Sequence, residues 1–170
     1  KLDTKWNDLI NDKDNFTENL GEINSLIECR QMLNLDYSIN EKLYEELSQE
    51  FMQDNGKEHI YNYIELIKFV DKIGKSNNAY INSLCENLED KLYSLKNEDA
   101  RNKLILLSKS YSLFNKTNYK ISAKLSDYAY DILIDSKSDS GLYYGGDFDE
   151  DIINFYNTYY AVELTQLLSK

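Results

Sequence analysis

Asp147, Asp149, Glu150 and Asp151 form the densest group of potential metal-binding side chains in the chain. Hard oxygen ligands packed this closely are what Mg²⁺ or Ca²⁺ requires. Asp147, Asp149 and Asp151 reproduce the Asp-x-Asp-x-Asp opening of an EF-hand loop. Ile152 then stands where that loop needs its turn glycine, and Thr158 where it needs its closing Glu, so the EF-hand reading fails. A looser Mg²⁺ or Ca²⁺ site, with Asp139 and Glu150 contributing, is the alternative. The simpler reading needs no cofactor: carboxylates gather at the N-terminus of a helix, where the macrodipole favours negative charge, and a helix is expected from about Asp151.

Other reactive side chains lack partners in sequence. His59 is the single histidine, and a catalytic zinc needs three protein ligands, so it reads as a first-turn helix residue. Cys29 and Cys85 fit no metal or redox spacing. Both fall in apolar helical patterns and read as small buried hydrophobes, with their pairing left open. Glu28 and the Glu45-Glu46 pair read as solvated helix faces rather than as acid–base carboxylates. No Gly-x-Ser-x-Gly, P-loop or dinucleotide fingerprint occurs. Aromatic residues carry the remaining signal. Tyr143, Tyr144, Phe148, Tyr156, Tyr159 and Tyr160 gather around a segment holding Gly141, Gly145 and Gly146. Tyr supplies contact area at low entropic cost, which suits a partner-binding rim as well as a core. Tyr159 and Tyr160 are adjacent, so on a helix only one of them packs inward.

Helical elements must position these groups, because apolar residues recur at three- and four-residue steps almost throughout. Helices are expected from Thr17 to about Leu33, from Ser38 to Phe51 with a stop at Asn55-Gly56, and from Ile60 to Gly74. Further helices are expected from Asn78 to Leu92, from Glu98 to Phe114, from Asn118 to Ile132, and from about Asp151 to Leu168. Polar turns at 75–78 and 115–118 separate antiparallel neighbours. An offset of 40 places Ile64–Leu92 over Leu104–Ile132, with Ile67 on Leu107, Ile81 on Ile121 and Cys85 on Leu125. Two helices every forty or so residues indicate stacked helical hairpins.

Gly145-Gly146-x-Phe148 feeding the helix Thr158-Tyr159-Tyr160-Ala161 resembles the repeat of prenyltransferases and squalene-hopene-type terpene cyclases, most strongly over 141–168. The resemblance implies an α/α toroid of hairpins, in which the glycine loop turns an outer helix into an inner one and a small Ala lets inner helices approach. The earlier hairpins share only its length and pattern. Its chemistry does not carry over. Asn154, Phe155, Tyr156 and Asn157 stand where the proton-donating Asp-x-Asp-Asp of such cyclases belongs, and the 147–151 carboxylates come about seven residues too early. The Asp, Cys and His zinc ligands of protein prenyltransferases have no counterpart around His59.

Composition narrows the field. With 19 basic and 30 acidic residues the net charge is −11, which argues against nucleic acid and anionic lipid as partners. Apolar runs are too short to span a membrane, and no signal peptide is read at the first residues. The chain contains no Pro, which suits unbroken helices. The expectation is an all-α fold of six to eight helices, stacked as hairpins resembling part of an α/α toroid. It spans 1–170 as one helical-repeat domain, or as a fragment of a larger toroid. The expected function is a non-catalytic module that binds a protein or peptide through the 139–150 face. The alternative is a binding protein or enzyme for an isoprenoid-like apolar ligand held between inner helices. A diphosphate on that ligand would require Mg²⁺ at the 147–151 carboxylates, since basic residues are scattered.

Overall fold

A computed structural model describes residues 1–12, 15–39, 60–73, 78–97, 100–137, 143 and 155–169. The fold is all-α. Seven α-helices occur among the described residues: α1 (Leu2–Asn11), α2 (Phe16–Met32), α3 (Ile60–Ile73), α4 (Asn78–Leu92), α5 (Ala100–Lys116), α6 (Ala123–Asp135) and α7 (Phe155–Leu168). A 3₁₀ segment, Tyr93–Asn97, extends α4. The extended pairing that the described residues show is an isolated antiparallel bridge between Lys137 and Tyr143. None of the described helices is long and apolar enough to cross a membrane. Helix α1 lies in a stretch for which the periodicity predicts nothing, and its single buried side chain, Trp6, explains why no apolar stripe announces it. The helix expected from Ser38 onward falls outside the described residues beyond Ile39.

The chain divides into two compact units, residues 1–81 and 82–170, with the boundary inside α4. In the first, α2 packs on α3 and α1 on α2. Helix α2 turns Phe16, Leu20, Ile23 and Ile27 inward at helical spacing, and α3 buries Ile64, Ile67, Phe69 and Val70. Phe16 meets Phe69 edge to face, with ring centroids 5.5 Å apart, a geometry worth about 1 kcal/mol beyond the area buried. Asn24, inside this packing, donates through Nδ2 to the Glu65 carbonyl (2.8 Å) and to its carboxylate (2.9 Å). Lys68 also reaches the Glu65 carboxylate, at 2.8 Å.

In the second unit the most extensive packing joins α5 to α7, with α6 lying against both. Helix α5 buries Leu104, Leu107, Ser108, Tyr111 and Phe114. Helix α7 turns Asn157, Ala161 and Leu164 inward, and the small Ala161 is fully buried. Ser108 on α5 donates a short hydrogen bond to Glu163 on α7.

Helices α2 and α5 stop in the same way. Asn34 has φ +53° and Asn118 φ +56°, the left-handed conformation that Asn tolerates better than other side-chain-bearing residues. Leu35 N–H then returns to the Arg30 carbonyl (2.8 Å) and Asn34 N–H to that of Gln31 (3.1 Å). Tyr119 N–H likewise returns to the Phe114 carbonyl (2.9 Å), and Asn118 N–H to that of Asn115 (3.3 Å). Both are Schellman motifs, which satisfy carbonyls that the helix end would otherwise leave open. Asn118 was expected to lead the sixth helix. It ends α5 instead, and Ser122 caps α6 by accepting from Leu125 N–H at 3.1 Å. Helix α6 accordingly begins at Ala123 rather than at Asn118.

Candidate partner-binding surface

Tyr143 is the one described residue of the 139–150 segment. It is half-buried, pairs with Lys137 just after α6, and donates its backbone N–H to Thr158 Oγ1 on α7 at 3.4 Å. Helix α7 therefore meets the segment in which sequence reasoning placed the binding face at Tyr143. With Asn157, Ala161 and Leu164 inward, helical geometry sends Tyr159 and Val162 outward together. They are 61% and 47% exposed. Tyr160 is half-buried and meets Tyr159 edge to face at 5.2 Å. The adjacent pair thus splits as expected, one ring outward and the other partly covered. Of Tyr156 only its place in α7 is described. Tyr144, Asp147, Phe148, Asp149, Glu150 and Asp151, and with them the Mg²⁺ or Ca²⁺ alternative, lie outside the described residues. His59, Glu45 and Glu46 do as well.

The two cysteines differ. Cys85 is fully buried, and burial pushes its thiol up to about 11, with Thr117 Oγ1 at 3.7 Å partly offsetting. Such a thiol is a packing group rather than a nucleophile. Cys29 is exposed, which corrects the reading of it as a buried hydrophobe. It follows Ile27 by two residues and so leaves the inward face of α2. Glu28 is exposed and pairs with Lys72 of α3 at 2.7 Å, tying two helices together. Among the described residues no group of three or more His, Cys, Asp or Glu is gathered to hold a metal ion.

Sequence reasoning missed Glu89, a buried residue on the inward face of α4. Its carboxylate accepts from Tyr93 Oη (3.4 Å), Tyr119 Oη (3.1 Å) and the Ser122 backbone N–H (3.4 Å). Tyr93 and Ser122 hydroxyls lie 3.1 Å apart. With the Tyr93 proton directed to Glu89, the Ser122 hydroxyl donates to the phenol while its oxygen caps α6. Lys124 lies over the Tyr93 ring at 4.1 Å, a cation–π contact. Burial raises the Tyr93 and Tyr119 phenols above their usual range, and the Glu89 charge adds to the rise. Both carboxylate oxygens are engaged by donors of the chain itself. Glu89 therefore fastens the α5–α6 turn to α4 and is not poised to take a substrate proton. One signal for it was legible: Glu89 shares the face of Cys85, Leu88 and Leu92, where an acid calls for nearby donors.

No protein-family model, no curated protein and no solved structure matches the chain. Its function must be argued from its own residues.

Proposed function

We propose that this chain is a non-catalytic helical module that binds a protein or peptide. The docking face combines the outward side of α7, Tyr159 and Val162, with the adjoining 139–150 segment. The stacked-hairpin likeness to prenyltransferase and terpene-cyclase repeats belongs to this proposal, as a scaffold without that family's acid or zinc residues. One observation carries it. Tyr159 and Val162 project from the same helix that, through Thr158, accepts a hydrogen bond from the Tyr143 backbone N–H. Tyr is among the residues enriched at interface hot spots, and Val162 adds apolar area beside it.

The test compares proteins retained from the source organism by the intact chain with those retained by Tyr159→Asp/Val162→Asp and by Tyr143→Ala/Tyr144→Ala. Loss of the same protein with both variants, at unchanged circular dichroism and melting temperature, is the expected result. Unchanged retention overturns the docking face. An apolar ligand kept in native mass spectrometry, together with a rise in melting temperature on adding a prenyl diphosphate, overturns the module in favour of an isoprenoid-binding protein.

A further inference from the structure

Helix α6 buries Leu125, Ala129, Ile132 and Leu133 and presents a second, separate apolar strip to solvent. Tyr130 and Ile134, one helical turn apart, are 46% and 70% exposed. Directly beside them on the helical wheel runs a row of carboxylates, Asp127, Asp131 and Asp135, all exposed. Each is four residues from the next, the spacing at which like charges repel along a helix. Asp135 also sits in the last turn, which holds no basic residue, where the helix dipole disfavours an anion. Among the described residues none of the three carboxylates takes part in an ion pair or a hydrogen bond. The one basic residue of α6, Lys124, is engaged over the Tyr93 ring. An exposed isoleucine beside an acidic row with no cation on it among the described residues is a face whose covering group must bring apolar area and positive charge together.

We propose that the outward face of α6 docks a basic amphipathic polypeptide segment, whose apolar residues cover Tyr130 and Ile134 and whose Lys or Arg residues meet Asp127, Asp131 and Asp135. Charge selects this occupant. A second copy would set one acidic row against another in a chain of net charge −11, and anionic lipid or nucleic acid has the same sign. The row extends about 12 Å along the helix, which matches two turns of a facing segment better than a single metal ion. This surface goes beyond the α7 face and stands independently of it.

The probe is a short fluorescent peptide of leucine and lysine at helical spacing, titrated into the full chain by anisotropy. An equally charged peptide without leucine serves as control. Binding that weakens with salt is expected, with a loss of at least about fivefold for Asp127→Asn/Asp131→Asn and for Ile134→Asn. The Asp127→Asn/Asp131→Asn variant is also expected to melt higher, because it relieves repulsion within α6. That readout needs no partner. Asp8→Asn/Glu18→Gln, which removes the same charge from exposed positions of the first unit, leaves binding unchanged, as does Tyr159→Asp/Val162→Asp, so the two faces fail separately. Equal binding of the leucine-free peptide, an equal loss with Asp8→Asn/Glu18→Gln, a lower melting temperature for Asp127→Asn/Asp131→Asn, or a dimer that Ile134→Asn dissolves would each overturn the proposal.

Discussion

Asn34 and Asn118 end α2 and α5 with the same backbone hydrogen bonds, yet the side chains around the two stops solve the next problem differently. At the end of α5 the residues that frame the motif are aromatic: Phe114 and Tyr119, with ring centroids 5.0 Å apart. This is the apolar clasp that often accompanies a Schellman stop, and Tyr119 carries it onward to the buried Glu89. At the end of α2 the position equivalent to Phe114 is Arg30. Its guanidinium packs over Trp6 at 5.4 Å, donates to Asp3 at 2.7 Å and also reaches the Asp36 carbonyl. Arg30 thus covers an aromatic ring of another helix, where Phe114 meets a ring of its own turn. One backbone device thus closes the second unit with phenols and a carboxylate, and the first with a cation that pins α1.

The difference should be greatest at alkaline pH. The phenols of Tyr93, Tyr111, Tyr119 and Tyr128 are all raised by burial, Tyr111 to about 12, and all four belong to the second unit. Because the folded values lie above the unfolded value of 10, the folded state holds these protons more tightly. Their stabilisation is intact below pH 10 and is lost as pH rises toward about 12. Nuclear magnetic resonance of second-unit methyls should report unfolding over that window, while Trp6, the only tryptophan, reports on the first unit separately. Simultaneous loss of both signals at lower pH would break the contrast.

Truncating the two clasps comes next. Phe114→Ala is expected to cost about 3–5 kcal/mol, since a fully buried ring leaves a cavity. Arg30→Ala should cost about 2 kcal/mol, the scale of hydrogen bonds to a charged group, part of it screened at the exposed Asp3. Urea unfolding measures both, and alkylation of the buried Cys85 thiol provides a local readout for the first. Equal costs would mean that the charged clasp is as tightly built as the aromatic one. At the shared device the units should agree: Asn34→Ala and Asn118→Ala are each expected to cost about 1 kcal/mol, because alanine pays for the left-handed conformation. The smallest effect is expected at Tyr128, whose buried hydroxyl finds no hydrogen-bond partner among the described residues. Tyr128→Phe should leave the melting temperature unchanged or raise it slightly, by up to about 1 kcal/mol in stability.

Much of the helical layout was legible because periodicity reports burial on one face. Ile64, Ile67 and Val70 of α3, and Leu84, Leu88 and Leu92 of α4, lie where their spacing put them. Helix α1 was not legible, since a single buried Trp makes no stripe. The end of α5 was misread because Asn serves equally well before a helix and after one. Its role shows in its φ of +56° and in the Tyr119 N–H that returns to the Phe114 carbonyl. Of the candidate face, Tyr159, Tyr160 and Tyr143 were named from composition, but not the attachment of Tyr143 to Thr158. Nor was the solvent-facing row of Asp127, Asp131 and Asp135 on α6, whose exposure is a matter of packing.

Residue order alone determined that the chain is helical, strongly acidic and without Pro, because helix periodicity, charge and backbone restriction are properties of the local chain. Only tertiary structure decided which of the thirty acids is buried among phenols, which cysteine faces solvent, and which helix faces remain uncovered. Those outcomes depend on donors and neighbours far away in sequence, such as Tyr119 and Ser122 around Glu89. Local pattern can say that a side chain lies on the inner face, but only packing brings the groups that make its burial affordable.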